Sequence, residues 1–192
     1  MQSRSEKPDM KSKLLELSEH FIQLKGLNAF SYYDLARETK IRNASIHYYF
    51  PTKDDLAIAV IRRNVVYYRE RIEAFDRQGM DEREKINHLL GSYAQWQQEN
   101  KICLIGSLAA DFNTYPEKVQ QELQELYLLL RDWLSRTLAS GREKGLFQFK
   151  SSPEAASLRV LSQMMASVQL ARLGGEKDFA VLMGSILPEF IG

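Results

Sequence analysis

Apolar residues in this chain recur three and four positions apart, and strand-like alternation is scarce. Leu14, Leu17, Phe21 and Leu24 make a stripe across KLLELSEHFIQLKG, with Gly26 as its stop. Ser31, with Asp34 three residues on, reads as a capping box that opens a second short helix, in which Leu35 and Ala36 face inward. A break at Lys40–Ile41 leads into a third helix, RNASIHYYF, which Pro51 ends. Thr52 caps a fourth, with Asp54 and Asp55 in its first turn, running to about Phe75.

The rest continues as helix. DEREKINHLLGSYAQWQQEN is amphipathic through Ile86, Leu89, Leu90, Tyr93 and Trp96, whereas ICLIGSLAADFN is apolar enough to be buried. Pro116 opens a long helix that ends near Gly145. LFQFKSS reads as a connector, extended in form, and Pro153 opens an apolar helix. Gly174–Gly175 makes a turn before a last helix over 176–190. The pattern predicts an all-α protein of about nine helices.

Three short helices, the last two joined by a tight turn, have the form of a helix-turn-helix head. Its second member lies in the DNA major groove, N-terminal residues toward base edges. In 42–50, Ile46 and Phe50 share one face and anchor the helix. Arg42, Asn43, Ser45, His47 and Tyr48 take the other. Arg42 suits guanine, Asn43 adenine, and Ser45 and Tyr48 phosphate or either base. Ala44 is small enough for close approach. Lys53, at the start of the next helix, suits a phosphate. Ser31 and Tyr32, opening the second helix, complete the expected DNA-binding set. The competing reading, that all these rings are core, is accepted for Ile46 and Phe50 only, since so short a helix cannot bury every ring.

Charge agrees with a DNA-binding head. Residues 1–72 hold 13 Lys+Arg against 9 Asp+Glu, a net of +4, and residues 73–192 hold 13 against 16, a net of −3. One cysteine excludes an internal disulfide framework and fits a reducing cytosol. The N-terminal MQSRSEKPDMKSK lacks the apolar core of a secretory signal, and no stretch is apolar enough for a membrane span. A cytoplasmic location is expected. His20, His47 and His88 lie far apart, no phosphate loop or metal spacing appears, and neither an enzyme nor a cofactor is expected.

FSYYDLARETKIRNASIHYYFPTKDDLAIAVI resembles the signature of the TetR family of bacterial one-component transcriptional regulators. Asp34-Leu35-Ala36, Ile41, Ile46, Tyr49-Phe50, Lys53 and Leu56 fall in register over about 45 residues. Three positions depart from it: Lys40 stands at the family's turn glycine, Arg42 at its capping serine and His47 at its first tyrosine. A left-handed Lys costs about 1 kcal/mol, so a local change of turn geometry is expected.

The resemblance implies a DNA-binding domain over 1–52, a linking helix over 53–75 and an effector-binding and dimerisation domain over 76–192. It implies a repressor that binds a near-palindromic DNA operator as a homodimer and leaves it when an unidentified small molecule or electrophile binds. Residues implied for the dimer interface are Leu158, Leu161, Met165, Val168, Leu182, Ile186 and Leu187. Those implied for the effector pocket are Tyr93, Trp96, Cys103, Leu108, Phe112, Tyr127, Met164 and Gln169, each also readable as plain core. ICLIGSLAAD resembles a Cys-Leu-x-Gly-x-Leu-Ala-Ala-acid stretch in one family subgroup. Lys101 lies two residues from Cys103, and a nearby ammonium makes a thiol more reactive. The other reading of Cys103 is a small buried apolar residue. The alternative to an effector-controlled repressor is a DNA-binding regulator controlled by a protein partner.

Overall fold

Side-chain caps set the start of several helices before any tertiary contact is considered. Ser31 and Asp34 close a reciprocal capping box at α2 (Tyr32–Thr39), Thr52 and Asp55 at α4 (Lys53–Arg77), and Asp81 and Glu84 at α5 (Glu82–Gln98). Ser152 caps α8 (Pro153–Gly174), where Pro153 takes the first-turn position at which its missing N–H costs nothing. The computed structural model describes residues 9–191, so the polar segment 1–8 lies outside the described residues.

The other helices are α1 (Met10–Lys25), α3 (Asn43–Tyr49), α6 (Leu104–Ala109), α7 (Glu117–Glu143), α9 (Glu176–Ile186) and the short α10 (Pro188–Ile191). Single 3-10 turns at Leu27–Ala29 and Phe112–Thr114 complete the described chain, which is all-α as expected. The connector at 146–152 is irregular; Phe147 is buried and the Gln148 N–H donates to the Phe190 carbonyl at 2.6 Å.

α1 buries a different arc from the expected one. Leu14, Ser18, Ile22 and Gln23 are buried, whereas Leu17, Phe21 and Leu24 are only half-buried. The cause is that α1 is covered from several sides, by α2, α4 and α6, so one apolar stripe does not define its inside. Ser18 is accommodated because its hydroxyl donates to the Leu14 carbonyl at 2.7 Å.

α7 packs against both α4 and α8, which joins the N-terminal helices to the C-terminal pair. Ion pairs line the α4–α7 seam: Arg62–Glu122 at 2.5 Å and Arg69–Glu125 at 2.8 Å, with Lys118–Asp55 at 3.3 Å near its end. At the far end of α7, Gly141 leaves room for the buried Phe147 ring. Beside it Glu82 is 3% exposed, and its carboxylate accepts from Ser140 Oγ at 2.8 Å and Lys144 Nζ at 2.5 Å. Burial pushes this carboxyl up, but Lys144 and Ser140 outweigh it and hold it below the usual carboxylate range.

Candidate nucleic-acid interface

The turn between α2 and α3 keeps a left-handed residue at Lys40, with φ 57° and ψ 34°. The expected local change of geometry does not occur. The Lys40 N–H still donates to the Ala36 carbonyl, as does that of Ile41 at 3.2 Å, so the turn accepts the strain of a Cβ where glycine has none.

α3 then divides its residues by face. Ile46 is 0% exposed and Phe50 2%, so both hold the helix to the head. Arg42, Asn43, Ala44, His47 and Tyr48 are exposed, and Ser45 is half-buried. Tyr48 is 85% exposed, and its ring meets Tyr49 edge-on at 5.5 Å between centroids. Arg42 occupies the N-cap without capping through its side chain, which leaves the guanidinium free of that duty. Seven residues make α3 too short to be stable alone, so its orientation comes from this anchorage.

His47 is oriented by its neighbours. Its Nδ1 lies 3.3 Å from the Pro51 carbonyl, a contact that requires a proton on Nδ1 and leaves Nε2 as the unengaged ring nitrogen. Its ring packs on Tyr32.

Tyr32 is corrected from DNA contact to anchor. It is 8% exposed, and its hydroxyl is shared between the carbonyls of Phe50 at 2.9 Å and Thr52 at 2.6 Å. Burial pushes its phenol pKa up, helped by Asp55 and Asp54. The neighbouring Tyr33 is the exposed ring, at 69%. Helix phase carries the signal: with Leu35 and Ala36 inward, the residue three and four positions earlier, Tyr32, is inward too. Ser31 is exposed, with its hydroxyl engaged in the cap.

Lys53 is less free than expected. Its ammonium donates to the Phe30 carbonyl and lies over the Phe30 ring at 4.5 Å. Burial lowers its pKa, against the opposing pull of Asp34. Phe30, Ser31, Tyr32, His47, Pro51, Thr52 and Lys53 line one shallow cavity of about 340 Å³, which brings the N-termini of α2 and α4 to the same surface.

Two sequence regions match known families. Residues 14–60 match the family described as "Bacterial regulatory proteins, tetR family", and residues 83–182 match "Tetracyclin repressor-like, C-terminal domain". The chain belongs to the TetR family of transcriptional regulators. TetR-family proteins are DNA-binding regulators and not enzymes. A Lactococcus lactis protein described as an uncharacterized HTH-type transcriptional regulator in the lacX 3' region is 24% identical over 171 residues, covering 85% of this chain and 83% of its own. A TetR regulator from Legionella pneumophila has a similar structure, with 28% identity, TM-score 0.81 and coverage of 96% of this chain and 99% of its own. Another from Agrobacterium tumefaciens has 24% identity, TM-score 0.87 and coverage of 95% and 97%.

In this TetR-family body, the expected pocket residues divide. Tyr93, Cys103, Leu108 and Met164 are buried in the core; Trp96, Phe112 and Tyr127 are half-buried; Gln169 is exposed. Tyr93 meets Trp96 at a tilt, 4.7 Å between ring centroids, and shares a side-chain hydrogen bond with Cys103. Trp96 also lines a cavity of about 180 Å³ with Glu19, Arg63, Asn64, Tyr67 and Tyr68, five residues absent from the expected set. All five come from α1 and α4, and only the fold places them beside α5.

The expected activation of Cys103 by Lys101 is corrected. Lys101 pairs with Glu99. Cys103 is 4% exposed, and burial pushes its thiol pKa up despite the Gly106 N–H that donates to Sγ at 3.2 Å.

The expected dimer set is corrected in phase. Leu161, Val168 and Ile186 are 7%, 1% and 0% exposed, because α8 turns the first two toward its own neighbours α7 and α9, and Ile186 is buried at the end of α9, which packs on α8. Met165, Leu182 and Leu187 are half-buried. Leu158 is exposed at 46%, and the sequence reading missed Leu170, Leu173 and Val181, exposed at 45%, 88% and 65%.

No described helix is long and apolar enough to cross a membrane, and no group of three or more His, Cys, Asp or Glu among the described residues could hold a metal ion.

Proposed function

We propose that this TetR-family regulator is a cytoplasmic homodimeric repressor that binds a near-palindromic operator and leaves it when a small molecule binds its body. The observation that carries the reading is the outward face of α3: Arg42, Asn43, Ala44, His47 and Tyr48 are exposed together while Ile46 and Phe50 are buried beneath them. That face offers base-edge donors and acceptors, and the α4 N-terminus with Lys53 offers a phosphate contact. The exposed Leu158, Leu170, Leu173 and Val181, all on the adjoining helices α8 and α9, support a second copy as partner, since large exposed apolar side chains favour burial. A two-fold pair then reads two inverted half-sites.

Selection from random double-stranded DNA by the purified chain tests this. The expected result is an enriched inverted repeat bound with a steep loss of affinity as salt rises. An unenriched pool overturns it. Arg42→Ala should cost about 1–3 kcal/mol at one base position, whereas Lys53→Ala should weaken all sequences alike and flatten the salt slope.

The buried state of Tyr93, Cys103, Leu108 and Met164 favours a second reading, in which the body is filled and a protein partner controls the regulator. Proteins of similar fold carry chemically unlike ligands, choline in a putative regulator from Saccharomonospora viridis and stearoyl-CoA in FadR from Bacillus subtilis, so the fold names no ligand. A melting screen against small molecules separates the readings: a sensor gains stability with a ligand, and a filled body gains none.

A further inference from the structure

The last four carbonyls of a helix have no partner within it. In α1 these belong to Ile22, Gln23, Leu24 and Lys25; the Gly26 N–H reaches the Ile22 carbonyl at 2.9 Å, and groups of the body reach three of the four. Ser107 of α6 donates its hydroxyl to the Ile22 carbonyl at 2.6 Å. The Ile102 N–H, in the link before α6, donates to the Gln23 carbonyl at 3.0 Å. Arg172, in the last turn of α8, donates through Nη2 to Gln23 at 3.0 Å and Leu24 at 2.9 Å. The same nitrogen reaches the Asn100 carbonyl at 2.9 Å, just past α5, where Asn100 holds a left-handed φ of 55°. One guanidinium thus ties the C-terminal ends of α1, α5 and α8. Its charge suits the negative end of the α1 dipole, and a single nitrogen, Nη2, makes all three contacts from one planar guanidinium.

We propose that Arg172 is a positioning residue for operator recognition, which fixes the pitch of α1 on the body and so sets the spacing of half-sites that a dimer accepts. This rests on the dimeric, operator-binding reading above. α1 is the first helix of the head and packs on α2, which carries α3. α8 carries Leu158, Leu170 and Leu173 on its exposed surface, the surface assigned to the second copy. Arg172 is a direct side-chain link between these two helices, and it bypasses α4. A head hinged at this point moves its recognition helix along the DNA axis, which spacing reports and overall affinity does not.

The test uses the operator selected by the full-length wild type and a series with one or two base pairs added to or removed from its centre. Wild type should lose about tenfold or more in affinity for one base pair, because two rigid heads fit a single separation. Arg172→Ala should flatten this to about threefold or less while keeping the order of base preference within a half-site. Arg172→Lys keeps the charge without the planar guanidinium and should fall between. Wild-type spacing profiles for both variants would overturn the proposal. If Arg172→Ala fails to fold, Arg172→Lys and Arg172→Gln decide in the same way: a broadened profile supports it and an unchanged one overturns it. A wild type that selects no operator is a failure of the operator-binding reading, and is distinct from a wild type that selects one whose spacing Arg172 does not control.

Discussion

The ring of Tyr32 meets the imidazole of His47 edge-on, with 4.7 Å between centroids. One of these side chains is buried and the other exposed, so a core residue supports a surface one. Tyr32 also holds the Phe50 and Thr52 carbonyls, and so ties the start of α2 to the α3–α4 junction. Tyr32→Phe keeps the ring and removes the hydroxyl. It should cost about 1 kcal/mol, and somewhat more if both carbonyls stay unsatisfied. Thermal denaturation should show a lower midpoint, with weaker DNA binding across all sequences. An unchanged midpoint would show that the shared hydroxyl contributes nothing.

Lys40 supplies a test in the opposite direction. Its φ of 57° is a position glycine takes without strain. Lys40→Gly should raise stability by up to about 1 kcal/mol, which a urea midpoint detects. A lower midpoint would mean that the Lys40 side chain contributes more than its backbone strain costs.

Two glycines should respond oppositely to alanine. A Cβ on Gly141 would lie 2.2 Å from Phe147 Cδ2 and 3.2 Å from Glu82 Cβ, so a buried ring would have to move. Gly141→Ala should cost about 1–3 kcal/mol. Gly91 has nothing within 4 Å of the same atom and sits inside α5, so Gly91→Ala should stabilise by about 0.5–1 kcal/mol. Denaturant titration of the pair checks both signs, and two variants that shift alike would refute the steric argument.

Glu82 predicts a pH dependence. Its folded pKa is depressed, so its contribution is present above the unfolded carboxyl pKa of about 4.3 and is lost as pH falls through the folded value. Glu82→Gln should cost about 1.5–3 kcal/mol at pH 7, the range for hydrogen bonds to a charged group. That deficit should shrink in acid as the wild-type carboxylate takes up its proton. Melting curves measured from pH 7 down to about 3 follow it; a deficit constant across that range would remove the carboxylate from the account.

The capping pairs and the division of α3 were legible because both depend on local spacing. Ser31–Asp34 and Thr52–Asp55 need only a fixed offset, and Ile46 and Phe50 differ by one helical turn. What failed depended on neighbours. Leu161 and Val168 are as apolar as Leu173, and only the positions of α7 and α9 decide which of them is covered. The same holds for Lys101, whose distance in sequence from Cys103 said nothing about the pairing of its charge with Glu99. Tyr32 lies between these cases: its phase was available from Leu35 and Ala36, but the two carbonyls it holds come from eighteen and twenty residues away.

Cys103 is the chain's single thiol and is covered on all sides in the folded body. A thiol reagent can reach it only when the packing around α6 opens, so each chain carries one label site whose reaction rate is a clock for that opening. Labelling time courses with and without DNA would then read, without any engineered cysteine, how often the interior of the regulator breathes while its head is occupied.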